Sequence, residues 1–430
     1  MKIVVALDSF KGSLTAVQAC DVVAGAIRSM VPQADVVTKP MADGGEGTAS
    51  VLMAAAGGQW VSRTVMGPLP QMQVEAGFVW LANQRGGSGK AEGFAAGGRA
   101  NHRQAALAAA TRQPSIRNRK GAALVEMATA SGLPLLKPEQ RNPLKTTTYG
   151  TGQLIRAAID YGASHILLAI GGSATVDGGV GAAMALGWRF LTKDGREIGF
   201  GGGQLLHIAT IVAPVCSVPV RASKETPHGV TTNDAVCLSA AAVEVLCDVD
   251  NPLTGGHGAA RVYGPQKGAT PEMVETLDAG LAHLARLVRE QLGRDIAHLP
   301  GAGAAGGLAA GAVAFMDARL VSGIEAVMSQ TRLREAVAGA DWVLTGEGCF
   351  DEQSLRGKVV SGVTRVAREA GARVGVLAGQ VRLPPERYRQ AGIEAAVTCM
   401  EDGMELDYAM TRGRMLLDCA ARRFVRDCVC

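Results

Sequence analysis

Rings are scarce in this chain: Phe, Trp and Tyr together make up 4% of its 430 residues, against 56 glycines. That balance argues against an all-helical protein. It suits an α/β protein in which many positions turn tightly or let backbone approach a ligand closely. No run of about 20 apolar residues occurs, so no membrane-spanning helix is expected. The opening Met1–Phe10 has no long apolar signal core. Cysteine occurs nine times but never as Cys-x-x-Cys, which leaves zinc ligation by spaced pairs unsupported. The cytoplasm is the expected setting, with most cysteines packed as small hydrophobes.

Three familiar catalytic signatures are missing too. Gly301-Ala302-Gly303-Ala304-Ala305-Gly306 matches G-x-G-x-x-G letter by letter, but His298-Leu299-Pro300 precedes it and not a strand. The dinucleotide context is therefore absent. Gly86-Gly87-Ser88-Gly89-Lys90 is followed by Ala91 and lacks the spacing and the preceding strand of a P-loop. No G-x-S-x-G elbow stands between a strand and a helix.

What is present is globular: 47% hydrophobic residues with 19% charged. The length suits two domains. The formal charge of +4 is local, because residues 82–120 hold eight Lys or Arg against the single acid Glu92. The rest of the chain is mildly acidic. That basic segment has one aromatic, Phe94, so base stacking is poorly supported and no nucleic-acid partner is expected. It reads as a solvated, flexible insertion.

The opening third alternates strand, loop and helix. Lys2–Leu7 is a short apolar strand, and Thr15 with Gln18 forms a capping box before a helical apolar spacing. Val36–Met41 is a second strand, followed by a helix that Gly57-Gly58 stops. Gln59–Val79 alternates like antiparallel strands, and a domain change is expected there. His165–Ile170 and Val243–Val249 read as buried strands, and Thr270-Pro271 opens a long amphipathic helix. Asp341–Thr345, Arg373–Leu377 and Ala395–Cys399 restore the opening rhythm. A parallel sheet begun at one end of the chain and completed at the other implies an inserted middle domain.

Ligands of open α/β sheets bind outside the carboxyl ends of the strands. Here five strands end in acidic or glycine-rich loops: Asp8; Asp43 with Glu46; Asp177; Asp248 with Asp250; Glu347 with Asp351. One such loop is an ordinary turn. Five on one face would need a hard cation such as Mg²⁺. Phosphoryl transfer needs backbone amides around phosphate, carboxylates for the metal and a cation for developing charge. Gly171-Gly172-Ser173 can supply the first, and Lys11, Lys267 and Lys358 each lie beside glycine in such loops.

The loops, taken in order, resemble those of the type I glycerate kinase family. The resemblance rests on Asp8–Leu14, Met41–Thr48, Thr146–Gly150, Gly171–Thr175, Asp177–Gly179 and Cys247–Leu253. It continues through Gly264–Ala269, Pro300–Gly307 and Thr345–Gly348 with Asp351 and Gln353. It departs at residues 82–120 and about 215–240, which are long, and at Cys349, where a basic residue is common. It implies a two-domain α/β fold and ATP-dependent phosphorylation of D-glycerate, commonly at the 2-hydroxyl.

The expected architecture is then a Rossmann- or flavodoxin-like parallel domain from 1–60 and 295–430, with 61–294 an inserted α/β domain. On the resemblance, Gly171, Gly172, Ser173 and Thr175 cradle phosphate, with Lys267 and Lys358 beside the nucleotide. Asp248, Asp250 and Glu347 hold Mg²⁺ or its waters. Lys11 pairs with either the glycerate carboxylate or the γ-phosphate, and either Asp43 or Asp177 takes the hydroxyl proton. No membrane partner is expected, and a homodimer is allowed. The competing reading is a catalytically silent small-acid-binding protein on the same fold.

Overall fold

The computed structural model describes residues 1–45, 47–82, 121–214, 241–401 and 403–429. The expected flexible insertion at 82–120 lies, Ala82 apart, outside the described residues, as does Glu46. In chain order the strands are β1 (Lys2–Val5), β2 (Asp35–Thr38), β3 (Gln59–Met66), β4 (Gln73–Ala82), β5 (Gly121–Glu126), β6 (Ala163–Ala169) and β7 (Arg189–Leu191). They continue with β8 (Thr210–Val212), β9 (Ala242–Leu246), β10 (Arg319–Val321), β11 (Trp342–Phe350), β12 (Arg373–Val381) and β13 (Ala395–Thr398).

Two main sheets result, so the α/β expectation is borne out. The first runs β13-β12-β11-β1-β2, parallel throughout. Counted within the sheet this is the order 2-1-3-4-5, whose switch point lies between β1 and β11. The second runs β10-β9-β6-β5-β4-β3. Its β5, β6, β9 and β10 are parallel, while β4 is antiparallel to both β3 and β5. A separate antiparallel pair joins β7 and β8.

The central strands carry apolar side chains on both faces, as covered parallel sheets require. Ile3, Val4 and Val5 are 0% exposed. Val4 packs with Val343, Val374 and the helix Val359–Glu369 on one face. Ile3 and Val5 pack on the other, with the helix Ala16–Met30. That helix starts on the expected capping box: Thr15 Oγ1 accepts from Gln18 N at 3.2 Å, and Gln18 Oε1 accepts from Thr15 N at 3.0 Å. The C-terminal helix Gly413–Phe424 covers the same face, with Phe424 edge-on to Trp342 at 5.1 Å.

One strand boundary differs from expectation. The strand expected to stop at Thr345 continues to Phe350, because Gly346 lets β11 and β12 lie close. A Cβ at Gly346 would fall 1.8 Å from the Leu377 carbonyl oxygen. Glu347 therefore stands in a strand and not in a loop. In addition, β10 lies beyond 294 yet pairs with β9, and the preceding helix Leu308–Met316 packs into the second sheet's core.

Candidate active site

Two chambers open at the carboxyl ends of the two sheets, and Asp43 lines both. The first encloses about 420 Å³ and is walled by the segments that follow β1 and β2 and by the ends of β11 and β12. The second encloses about 370 Å³ and is walled by the loops after β6 and β9 and by Lys267.

In the first chamber the ladder of the sheet extends past β1. Asp8 N donates to the Gly346 carbonyl at 2.9 Å, which holds Asp8 beside Glu347. Asp8 Oδ1 accepts from Ser9 N at 2.6 Å. Burial pushes Asp8 up to about 7, and the charges of Asp43 and Glu347 add to the shift. Burial, then Asp351 and Asp43, also raises Glu347, whose Oε1 is buried with no hydrogen-bond partner. Lys11 and Lys358 line this chamber, Lys358 at the start of the helix Val359–Glu369. Carboxylates crowded here gather negative charge that a hard cation would offset, and the two lysines can clamp an anion.

Asp43 sits where the segment after β2 meets the end of β9 and the start of the helix Gly323–Thr331. Its Oδ1 accepts from Gly45 N at 3.1 Å. A Cβ on Gly44 would lie 2.7 Å from Leu246 Cβ, and one on Gly323 would lie 2.2 Å from the Asp43 carbonyl oxygen. The close approach is possible only with glycine at both positions.

In the second chamber the Gly171-Gly172-Ser173 loop is held from behind. The Gly172 carbonyl accepts from Leu133 N at 2.8 Å, and Ala174 N donates to the Ser131 carbonyl at 2.9 Å. Lys267 Nζ donates to Ser173 Oγ at 2.7 Å and to the Thr175 carbonyl at 2.8 Å. Lys267 is 2% exposed, and burial takes its ammonium down to about 7. Ala305, which lines this chamber, sits in the left-handed region at φ 54°, a strained backbone for a residue with a Cβ.

Several expected site residues stand elsewhere. Asp177 is 1% exposed and lines neither chamber. Its Oδ2 accepts from Thr148 N at 2.8 Å, Thr148 Oγ1 at 2.9 Å and Gly181 N at 3.3 Å, while Oδ1 accepts from Gly179 N at 3.1 Å. Burial raises it and these donors pull it back. Thr175 is fully buried; its carbonyl accepts from Lys267, and its hydroxyl oxygen is buried without a hydrogen-bond partner. The metal set Asp248, Asp250 and Glu347 is not brought together. Asp248 lines the second chamber, but its carboxylate accepts from Ser322 Oγ, Gly323 N and Ile324 N at 2.8, 3.0 and 3.2 Å and so caps the helix Gly323–Thr331. Burial and the Asp43 charge push it up to about 6. Asp250 is exposed and lines neither chamber. Among the described residues no three His, Cys, Asp or Glu stand as a ready metal cage.

Other residues were not picked out as site residues in the sequence. Asp8 had its signal in the strand-then-acid pattern. Gln380, Arg382 and the helix Leu406–Thr411 line the first chamber with no motif to mark them. Cys349 also lines it, and Arg382 brings a basic group to the chamber that lacks one at 349.

Comparison with known proteins decides the family. The model of the "Glycerate kinase family" matches residues 3–429. The chain belongs to the glycerate kinase family. A glycerate kinase of Halalkalibacterium halodurans is 42% identical over 420 residues, spanning 98% of this chain and 96% of its own. A glycerate 2-kinase of Escherichia coli is 38% identical over 423 residues, with 98% and 96% covered. A crystal structure of a putative glycerate kinase 2 from Salmonella typhimurium superposes with a TM-score of 0.75 at 37% identity, covering 99% of this chain and 97% of that one. Family membership makes the chain a kinase, an enzyme whose phosphoryl donor is ATP. Among its described residues no helix is long and apolar enough to cross a membrane.

Proposed function

We propose that the chain transfers the γ-phosphate of ATP to D-glycerate, giving 2-phosphoglycerate. The observation that carries this is the position of Asp43, among the described residues the one acid that lines both chambers. A donor in one chamber and an acceptor in the other would meet there, which is the proximity a two-substrate transfer needs. Asp43 is the group that takes the hydroxyl proton as the oxygen attacks. Lys11 and Lys358 are the cations that offset charge on the transferring phosphoryl group. The Gly171-Gly172-Ser173 loop, stiffened by Lys267, presents backbone to an anion.

Mg²⁺ fits the first chamber. Glu347 with its unpartnered oxygen, together with Asp8, would hold it, and phosphate oxygens would complete a shell that two carboxylates leave open. When bound, the ion neutralises phosphate charge. The pairing of β10 with β9 supports a domain boundary near 321 and not at 294. A cytoplasmic location and a homodimer belong to the same proposal, and light scattering of the purified chain tests the second.

The deciding experiment is phosphorus NMR of a reaction with ATP, Mg²⁺ and D-glycerate. The expected product is 2-phosphoglycerate with one ADP released per turnover. A 3-phosphoglycerate resonance overturns the position of transfer, and no ADP release above the no-acceptor control overturns the acceptor.

A further inference from the structure

The two chambers differ in chemistry, and the difference assigns their ligands. Part of the first chamber's wall is apolar: Phe10, Met400, Leu406, Ala409, Met410 and Leu416. Leu406 and Met410 are 57% and 36% exposed, large apolar side chains left in water. Another part of the same wall is ionic, with Asp8, Asp43, Glu347, Lys11 and Lys358. A ligand that fits has one flat apolar end and one polyanionic end. Glycerate, with a carboxylate and two hydroxyls, has no apolar end to bury. A purine nucleotide has both.

Topology points the same way. In a sheet of order 2-1-3-4-5, the crevice at the switch point is where a nucleotide-like ligand settles. Here the switch point lies between β1 and β11, and the segments leaving those strands wall the first chamber. The apolar side is built for the purpose. Ser13 Oγ donates to the Met410 carbonyl at 2.7 Å, which clips the helix Leu406–Thr411 onto the loop after β1. A Cβ on Gly12 would fall 2.5 Å from Met410 Cε, so the clip is close-packed. Gln380 Oε1 is occupied by Arg382 Nη2 at 2.8 Å, which leaves the amide N–H groups of Gln380 for an acceptor atom of a base.

We infer that the first chamber is the nucleotide site, its purine lodged between Phe10 and the helix Leu406–Thr411, and that the second chamber is the acceptor site. The Gly171-Gly172-Ser173 loop then receives the carboxylate of the acceptor acid and not the phosphates of ATP. This rests on the reading of the chain as a glycerate kinase, but nucleotide binding can be measured without any acceptor.

The test uses the full chain and two pairs of variants. Leu406→Ser and Leu406→Lys alter the apolar wall at a position 57% exposed, where folding tolerates change. Ser173→Ala and Gly172→Ala alter the loop. Calorimetry with ADP and Mg²⁺, in the absence of glycerate, is paired with steady-state kinetics in both substrates. The expected result is that the wall variants raise the ADP Kd and the KM for ATP about tenfold and leave the KM for glycerate within twofold. The loop variants should do the reverse. If the wall variants leave the ADP Kd unchanged while glycerate is turned over, the assignment is wrong and the kinase reading stands. If ADP binds with the expected dependence on the wall but glycerate is not phosphorylated, the nucleotide site stands and the acceptor is wrong.

Discussion

Asp43 and Asp177 look alike in sequence, each an acid among glycines after an apolar strand, yet their surroundings are opposite. Asp43 faces two chambers and accepts one local backbone bond. Asp177 is buried among Thr148, Gly179 and Gly181. Asp43→Asn is expected to lower kcat at least ~100-fold with the urea midpoint unchanged, the loss typical of a removed general base. Asp177→Asn turns one acceptor into a donor facing N–H and O–H groups, and should cost about 2–4 kcal/mol of unfolding free energy. A stable but inactive Asp177 variant would reverse the two roles. Lys267 makes a third case. Its ammonium titrates near 10.5 in the unfolded chain and near 7 when buried. Between those values the unfolded state holds a proton that the folded state has shed, so the folded state gains stability as pH rises from 7 toward 10.5. The urea midpoint of the parent, relative to Lys267→Met, should therefore be higher at pH 9 than at pH 7. A difference that stays flat would mean the ammonium remains charged in the fold.

Elements were legible where the signal is local. The capping box at Thr15 and Gln18 and the cap at Thr270 need only neighbours in sequence, and both form. Thr15→Ala should cost about 1 kcal/mol, read as a lower denaturant midpoint with unchanged slope. If the midpoint does not move, the helix Ala16–Met30 is held by packing alone. The reach of β11 was not legible, because Gly346-Glu347-Gly348 reads as a turn to any local rule. Its continuation depends on β12 lying within reach of Gly346, a contact between residues 31 positions apart, Gly346 and Leu377. The helix Gly413–Phe424 had a usable signal in Leu416, Ala420 and Phe424 at steps of four, which its loose family match obscured.

At the scale of the molecule, Asp248 links the sheets. It follows β9 of the second sheet and caps the helix Gly323–Thr331, whose Ile324, Val327 and Met328 pack in the first sheet's core. Sequence marks Asp248 as one more acid in a loop, and only the fold shows that it caps a helix 74 to 76 residues further along. The same junction sets the position of Asp43. Gly323→Ala would push on the Asp43 carbonyl, 2.2 Å from the added Cβ, and also crowd the Asp248 carboxylate at 2.9 Å. It should lower kcat/KM about tenfold or more while both substrates still bind, since small misplacement of a reacting group is costly. Parent-like kinetics in that variant would show that the junction has slack.

The sequence by itself determined the α/β class, the strand-then-loop rhythm and the family, because apolar spacing, caps and ordered motifs are properties of neighbouring residues. It also marked Asp43, Lys11 and the Gly171–Ser173 loop for the cleft. Which acids face that cleft was decided only by tertiary structure. An Asp in a glycine-rich loop has the same local signature whether it meets substrate, caps a distant helix or is buried under hydrogen bonds. The direction of each loop, and the partner that reaches it, come from chain segments far away in sequence.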